Sequence, residues 1–77
     1  ADARQAYGEA IRFNEQMLAL DARNPEIKRR LAQNHGRLGQ AVLRSGSLGD
    51  ALGNYEKALE INRELLAENP NDARLRY

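Results

Sequence analysis

Apolar residues recur at spacings of three and four along most of the chain, which is the pattern of amphipathic α-helices. The first such stripe consists of Ala3, Ala6, Tyr7, Ala10, Phe13, Met17 and Leu20. The second consists of Ile27, Leu31, Leu38 and Val42, and the third of Leu48, Ala51, Leu52, Tyr55, Ala58, Leu59, Leu65 and Leu66. No segment alternates with the period of two that a half-buried strand requires. The pattern therefore predicts an all-α protein.

Helix-start and helix-stop signals divide the chain into three long helices and a short fourth one. Asn24-Pro25 combines an N-cap residue with proline in the first helical position, and Asn69-Pro70 repeats this signal. Gly46 can adopt the left-handed conformation that ends a helix. The predicted long helices span residues 2–20, 25–44 and 48–68. Because the connections are short, successive helices should pack antiparallel.

The chain also repeats part of itself. Residues 3–19 align with residues 51–67, forty-eight positions later, and six of the seventeen pairs are identical. These pairs are Ala3/Ala51, Tyr7/Tyr55, Ala10/Ala58, Asn14/Asn62, Leu18/Leu66 and Ala19/Ala67. A fixed period in this range is typical of helical units that stack on copies of themselves, and such stacks often bind other proteins.

Residues 31–62 carry small and aromatic positions at the spacings of a known repeat. These are Leu38-Gly39, Gly46, Ala51, Tyr55 and Ala58, followed by Leu59-Glu60-Ile61. On these residues the segment resembles the tetratricopeptide repeat, a helix-turn-helix unit of roughly 34 residues. Small side chains at Gly39, Ala51 and Ala58 would let paired helices approach closely, and Tyr55 would fill the groove between them.

The resemblance implies an α-solenoid fragment built from antiparallel helix-turn-helix repeats. Residues 1–77 would form one domain, with a full repeat at about 25–69 and partial repeats at 1–24 and 70–77. Arg63 stands where the family has a helix-ending proline, so the third helix can continue and lengthen the repeat to about 48 residues. We accordingly expect a piece of a longer array.

Composition excludes several classes of function. The formal net charge is +1, so the chain as a whole has no strong attraction to nucleic acid or to an anionic membrane. It has no cysteine and one histidine, which excludes a thiolate zinc site. We find no catalytic constellation, expect no enzyme activity and no cofactor or metal, and take the cytoplasm as the default location because no apolar run reaches eighteen residues.

The predicted second helix carries a row of long polar side chains within an arc of about 80°. This row, the arginine ridge, consists of Arg30, Gln33, Arg37, Gln40 and Arg44. Its three arginines could bind an acidic or carboxylate-bearing segment of a partner protein through bidentate contacts. The resemblance implies the same, because the first helix of each tetratricopeptide unit lines the peptide-binding groove. The alternative interpretation is an ordinary solvated helix face.

Other unusual positions have structural explanations. Asn14 and Asn62 interrupt apolar stripes at equivalent places, and we expect them to fix helix register. His35 should be a packing residue that replaces an aromatic side chain. Glycines inside or near the starts of helices are expected to mark close backbone contacts, namely Gly8, Gly36, Gly49 and Gly53.

The sequence leaves three functions open. The leading hypothesis is an interaction scaffold that binds a peptide or helix of another protein in a helical groove. The alternative is a self-association module that pairs through apolar terminal faces, Ala3/Tyr7/Ala10 at one end and Leu75/Tyr77 at the other. RNA binding through the arginine ridge is a third option, disfavoured by the near-neutral charge and the few aromatic residues.

Overall fold

Three α-helices make up the structure, a computed structural model that describes residues 3–68 of the chain. Helix α1 spans Ala3–Leu20, α2 spans Pro25–Arg44 and α3 spans Leu48–Glu68. The described part of the chain contains no strand, so the predicted all-α class is confirmed. The predicted bounds of α2 and α3 and the predicted end of α1 are confirmed as well, whereas the predicted start of α1 at Asp2 lies outside the described residues. The short helix predicted after Asn69-Pro70 lies outside the described residues.

Helix α2 is the centre of the fold. It packs against α1 on one side and against α3 on the other, whereas α1 and α3 do not pack on each other. Lys28, near the start of α2, contacts Glu68 at the end of α3, while Gly39 farther along α2 meets Tyr55. This order of contacts shows that α2 and α3 are antiparallel, as the short connection predicts.

An asparagine cap fixes the start of α2. The side-chain oxygen of Asn24 accepts hydrogen bonds from the backbone N–H groups of Glu26 at 3.0 Å and Ile27 at 3.3 Å. Two of the N–H groups that a helix leaves unpaired at its start are thereby satisfied. Pro25 occupies the first helical position, where its missing N–H costs nothing. The predicted start signal is confirmed.

A glycine cap fixes the end of α2. Gly46 has a φ of +88°, and its N–H donates to the carbonyl of Leu43 at 2.9 Å. The N–H of Ser47 donates to the carbonyl of Val42 at 3.0 Å, which completes a Schellman motif. Because residues with a Cβ are strained at positive φ, the predicted role of Gly46 is confirmed.

The buried face of α1 differs from the predicted stripe. The buried residues of α1 are Ile11 and Asn14, and α2 covers this side of the helix. Phe13 and Leu20, both members of the predicted stripe, are 61% and 85% exposed, and Met17 is also exposed. The prediction was wrong because α1 is apolar on two adjacent sides, and periodicity alone does not determine which side meets the neighbouring helix.

Helix α3 shows a similar division of its apolar residues. Ala51 and Leu65 are fully buried against α2. Leu48, Leu52 and Leu59 were predicted on the same stripe but are exposed. They lie on the outer side of α3, away from the α2 contact. The second stripe was predicted better, since Leu31 is buried and Ile27, Leu38 and Val42 are half-buried.

Helices α2 and α3 approach each other most closely at Gly39. A Cβ placed on this glycine would lie 2.9 Å from Cε1 of Tyr55, inside the normal contact distance. The tyrosine ring therefore occupies the space that any larger residue at position 39 would need. This is the contact that the sequence predicts between these two residues.

The other helical glycines do not have the predicted role. A Cβ on each of them would meet nothing within 4 Å; they are Gly8, Gly36, Gly49 and Gly53. The expectation of close backbone contacts was wrong at these positions within the described part of the chain. Each of them gives up helix propensity without a packing contact in return.

Two glycine substitutions in α2 should change the stability in opposite directions. Gly39→Ala should lower the free energy of unfolding by about 1–3 kcal/mol, because the new methyl group overlaps the ring of Tyr55. Gly36→Ala should raise it by up to about 1 kcal/mol, because the site is open and alanine favours the helix. Urea unfolding followed by circular dichroism measures both. Equal effects at the two positions would contradict the proposed helix contact.

Candidate protein-binding surface

The arginine ridge lies on the solvent side of α2. All five of its residues are exposed, namely Arg30, Gln33, Arg37, Gln40 and Arg44. The two sides of α2 that meet α1 and α3 leave this third side uncovered by any described residue. The ridge is thus open to solvent along nearly the whole length of the helix.

The ridge is not uniform in its ion pairing. Arg30 lies near the start of α2, and its Nε is 3.8 Å from a carboxylate oxygen of Glu26, which also pairs with Arg29. Among the described residues, Arg37 and Arg44 make no hydrogen bond or ion pair. The positive charge of the ridge is therefore least compensated toward the end of α2.

A shallow depression lies at that end of the ridge. It is formed by Ala3, Arg4, Ala41, Arg44 and Ser45 and has a volume of about 250 Å³. Arg4 was not predicted as a site residue. It enters the site because α1 runs antiparallel to α2, which brings the start of α1 beside the end of α2. Two arginines thus line one concave surface.

An asparagine pair fixes α2 against α1. Asn14 is 8% exposed, and its side-chain oxygen accepts a hydrogen bond of 2.8 Å from the amide nitrogen of Asn34. A buried amide without a partner would cost free energy, so this bond favours one register between the two helices. The expectation that Asn14 fixes register is supported by this geometry. Asn62, its counterpart in the repeat, is exposed.

The next residue on α2 makes the corresponding contact with α3. Nδ1 of His35 lies 3.1 Å from the side-chain oxygen of Asn54, whose amide nitrogen donates to the carbonyl of Asp50 at 3.0 Å. With its amide nitrogen engaged, Asn54 presents its oxygen as the acceptor, and His35 donates through Nδ1. The half-buried His35 is therefore a packing residue, as expected, and its contact with Asn54 also helps to fix the register of α3, which was not predicted.

An ion pair joins the start of α2 to the end of α3. The ammonium group of Lys28 lies 2.6 Å from a carboxylate oxygen of Glu68. Together with the Asn34–Asn14 and His35–Asn54 contacts, this pair determines how α2 is rotated between its neighbours. That rotation is what turns the ridge toward solvent.

Four of the five residues of the repeat signature lie along the contact between α2 and α3. Gly39 and Ala51 are buried, and Tyr55 and Ala58 are half-buried. Leu38 is also half-buried, on the side of α2 that faces α1. These five residues lie on the inner sides of the helices and do not form part of the ridge.

The described residues form neither a metal-binding cluster nor a membrane-spanning helix. No group of three or more histidine or acidic side chains within residues 3–68 is arranged to hold a metal ion. None of the three helices is sufficiently long and apolar to cross a membrane.

The asparagine pair should be coupled energetically. Asn14→Leu should lower the free energy of unfolding by about 1–3 kcal/mol, because it leaves the amide of Asn34 without its partner. The double variant Asn14→Leu/Asn34→Leu should recover most of this loss. The exposed Gln16→Leu serves as a control on α1 and should change little. Strictly additive effects in urea unfolding would exclude the coupling.

Comparison with known proteins gives no further identification. No family model matches the chain, and neither a curated protein nor a solved structure matches it. Its function is therefore inferred from its own surface, above all from the exposed ridge and the depression between Arg4 and Arg44.

Proposed function

We propose that the chain is a protein-interaction scaffold that binds an acidic segment of a partner protein along the arginine ridge. The observation that carries this proposal is the convergence of Arg44, at the end of the ridge, with Arg4 on one concave surface. A scaffold of this kind requires no cofactor and no catalytic group.

The chemistry of the ridge determines the kind of partner. A guanidinium group is planar and donates two parallel hydrogen bonds to one carboxylate. Arg37 and Arg44 are exposed and make no ion pair with any described residue, so a partner carboxylate would replace only water. Gln33 and Gln40 can both donate to and accept from a peptide backbone between these charges.

The architecture supports the same function. Antiparallel helices around a capped central helix provide a rigid surface, and a rigid surface loses little entropy on binding. The repeat of residues 3–19 at 51–67 and the contact of Gly39 with Tyr55 both agree with a tetratricopeptide-like arrangement. In such an arrangement α2 would line the groove that holds the ligand.

Charge reversal on the ridge should weaken binding of an acidic probe. The probe is a fluorescein-labelled peptide in which glutamates alternate with leucines, and its lysine analogue is the negative control. Arg37→Glu/Arg44→Glu should weaken binding by about tenfold or more, since two charge-assisted contacts are lost. Fluorescence anisotropy at increasing salt concentration measures the affinity, which should fall as salt rises.

A matched double reversal separates the ridge from the overall charge. Arg12→Glu/Arg63→Glu changes the net charge by the same amount as the ridge variant. Its two positions are exposed but lie on α1 and α3, outside the ridge. This variant should lose much less affinity than the ridge variant. If both doubles bind equally weakly, or if the lysine peptide binds as well as the glutamate peptide, the ridge is not the binding site.

A further inference from the structure

One short pattern of residues occurs three times in the chain. In each case an asparagine has an aliphatic residue three positions before it and a leucine four positions after it, so that all three side chains share one side of a helix. The three triplets are Ile11-Asn14-Leu18 on α1, Leu31-Asn34-Leu38 on α2 and Leu59-Asn62-Leu66 on α3.

The first two triplets meet each other. Asn34 donates to Asn14 at 2.8 Å, and Ile11 and Leu31 beside these asparagines are buried. The antiparallel pairing of two such triplets thus forms a small apolar contact with an amide hydrogen bond at its centre. A polar residue at the centre of an apolar helix contact selects one register, because other registers leave the amide unpaired.

The third triplet meets no other triplet among residues 3–68, and of its members only Leu66 is half-buried. Leu59 is 50% exposed, whereas Ile11, its counterpart on α1, is 8% exposed. Asn62 is also exposed and makes no hydrogen bond in the described part of the chain. Leu48 and Leu52 extend the same outer side of α3 toward its start, and both are exposed. The result is an apolar helix face with a single amide in it.

We infer that this face binds the same face of a second copy of the chain, with Asn62 hydrogen-bonded to the partner subunit's Asn62. The triplets on α1 and α2 are already paired with each other within the fold. Among the described residues, this leaves the α3 triplet unpaired. A twofold axis through an antiparallel α3 pair places Asn62 opposite itself. It also places Leu59 opposite the partner's Leu66, which is the arrangement of the α1–α2 triplets.

The small core of the described residues supports association. Among them, three large aliphatic side chains are buried, Ile11, Leu31 and Leu65. More large apolar side chains than this are exposed, and three of those lie on the outer side of α3. In the proposed register, covering Leu59 and Leu66 of both copies would remove from water an apolar surface that the fold itself leaves open. This surface is distinct from the arginine ridge on α2.

Sedimentation equilibrium of the full chain is the first test. The wild-type chain should show a concentration-dependent monomer–dimer equilibrium that reaches the dimer at high micromolar concentration. Leu59→Glu should raise the dissociation constant by at least about tenfold, because it places two carboxylates in the apolar contact. Leu20→Glu alters an even more exposed leucine, on α1, and should leave dimerisation unchanged.

A pair of charge variants tests whether Asn62 faces its own copy. Asn62→Asp and Asn62→Lys should each be monomeric, because each puts two like charges together at the axis. Their equimolar mixture should form a heterodimer, because the carboxylate and the ammonium group then face each other. Circular dichroism of each variant checks that the helices are retained, which is expected at an exposed position.

Three results would overturn the inference. A wild-type chain that stays monomeric at high micromolar concentration would exclude a second copy as the occupant of this face. A dimer that tolerates Leu59→Glu would place the contact elsewhere. A mixture of Asn62→Asp and Asn62→Lys that stays monomeric would show that the two asparagines do not meet. Association restored in that mixture, with both single variants monomeric, is the result that we expect.

Discussion

The fold depends on the packing of α2 against α1 on one side and against α3 on the other. Because α1 and α3 do not pack on each other, every tertiary contact between the helices of the described residues passes through α2. The asparagine and glycine caps fix where α2 begins and ends, and Asn34 and His35 attach it to one neighbour each. A change that rotated α2 would therefore disturb both helix contacts and the direction of the ridge together.

The features that could be predicted from the sequence are those with a local cause. Asn24-Pro25 and Gly46 determine the ends of α2 through backbone bonds within a few residues, so the helix bounds agree with the prediction. The contact of Gly39 with Tyr55 was also predictable, because both residues stand at signature positions of the repeat that the sequence resembles. Helical position alone was not enough, since the other glycines within the described helices meet no side chain. The ridge was found because its five residues follow helical periodicity on a polar side.

The choice of buried face could not be predicted in the same way. On α1 an apolar side that includes Phe13 and Leu20 competes with the side that contains Ile11 and Asn14, and a hydrophobicity pattern favours the former. The structure selects the latter because Asn14 finds a partner only across the α1–α2 contact. The Asn14–Asn34 pair also explains why Arg4 lies near Arg44. Arg4 is ten residues before Asn14, and Arg44 is ten residues after Asn34. Antiparallel helices in this register bring the two arginines to one end.

The two proposed surfaces have a joint consequence. A twofold axis relating the α3 helices would give each dimer two identical ridges, one on each α2. A partner with two acidic segments could then bind both ridges, and its second contact would form at the effective concentration that its linker sets. Loss of Leu59 from the α3 face would weaken such a bivalent partner while leaving the affinity for a single acidic segment unchanged. The dependence of binding on partner valency therefore separates the contribution of the ridge from that of the dimer contact.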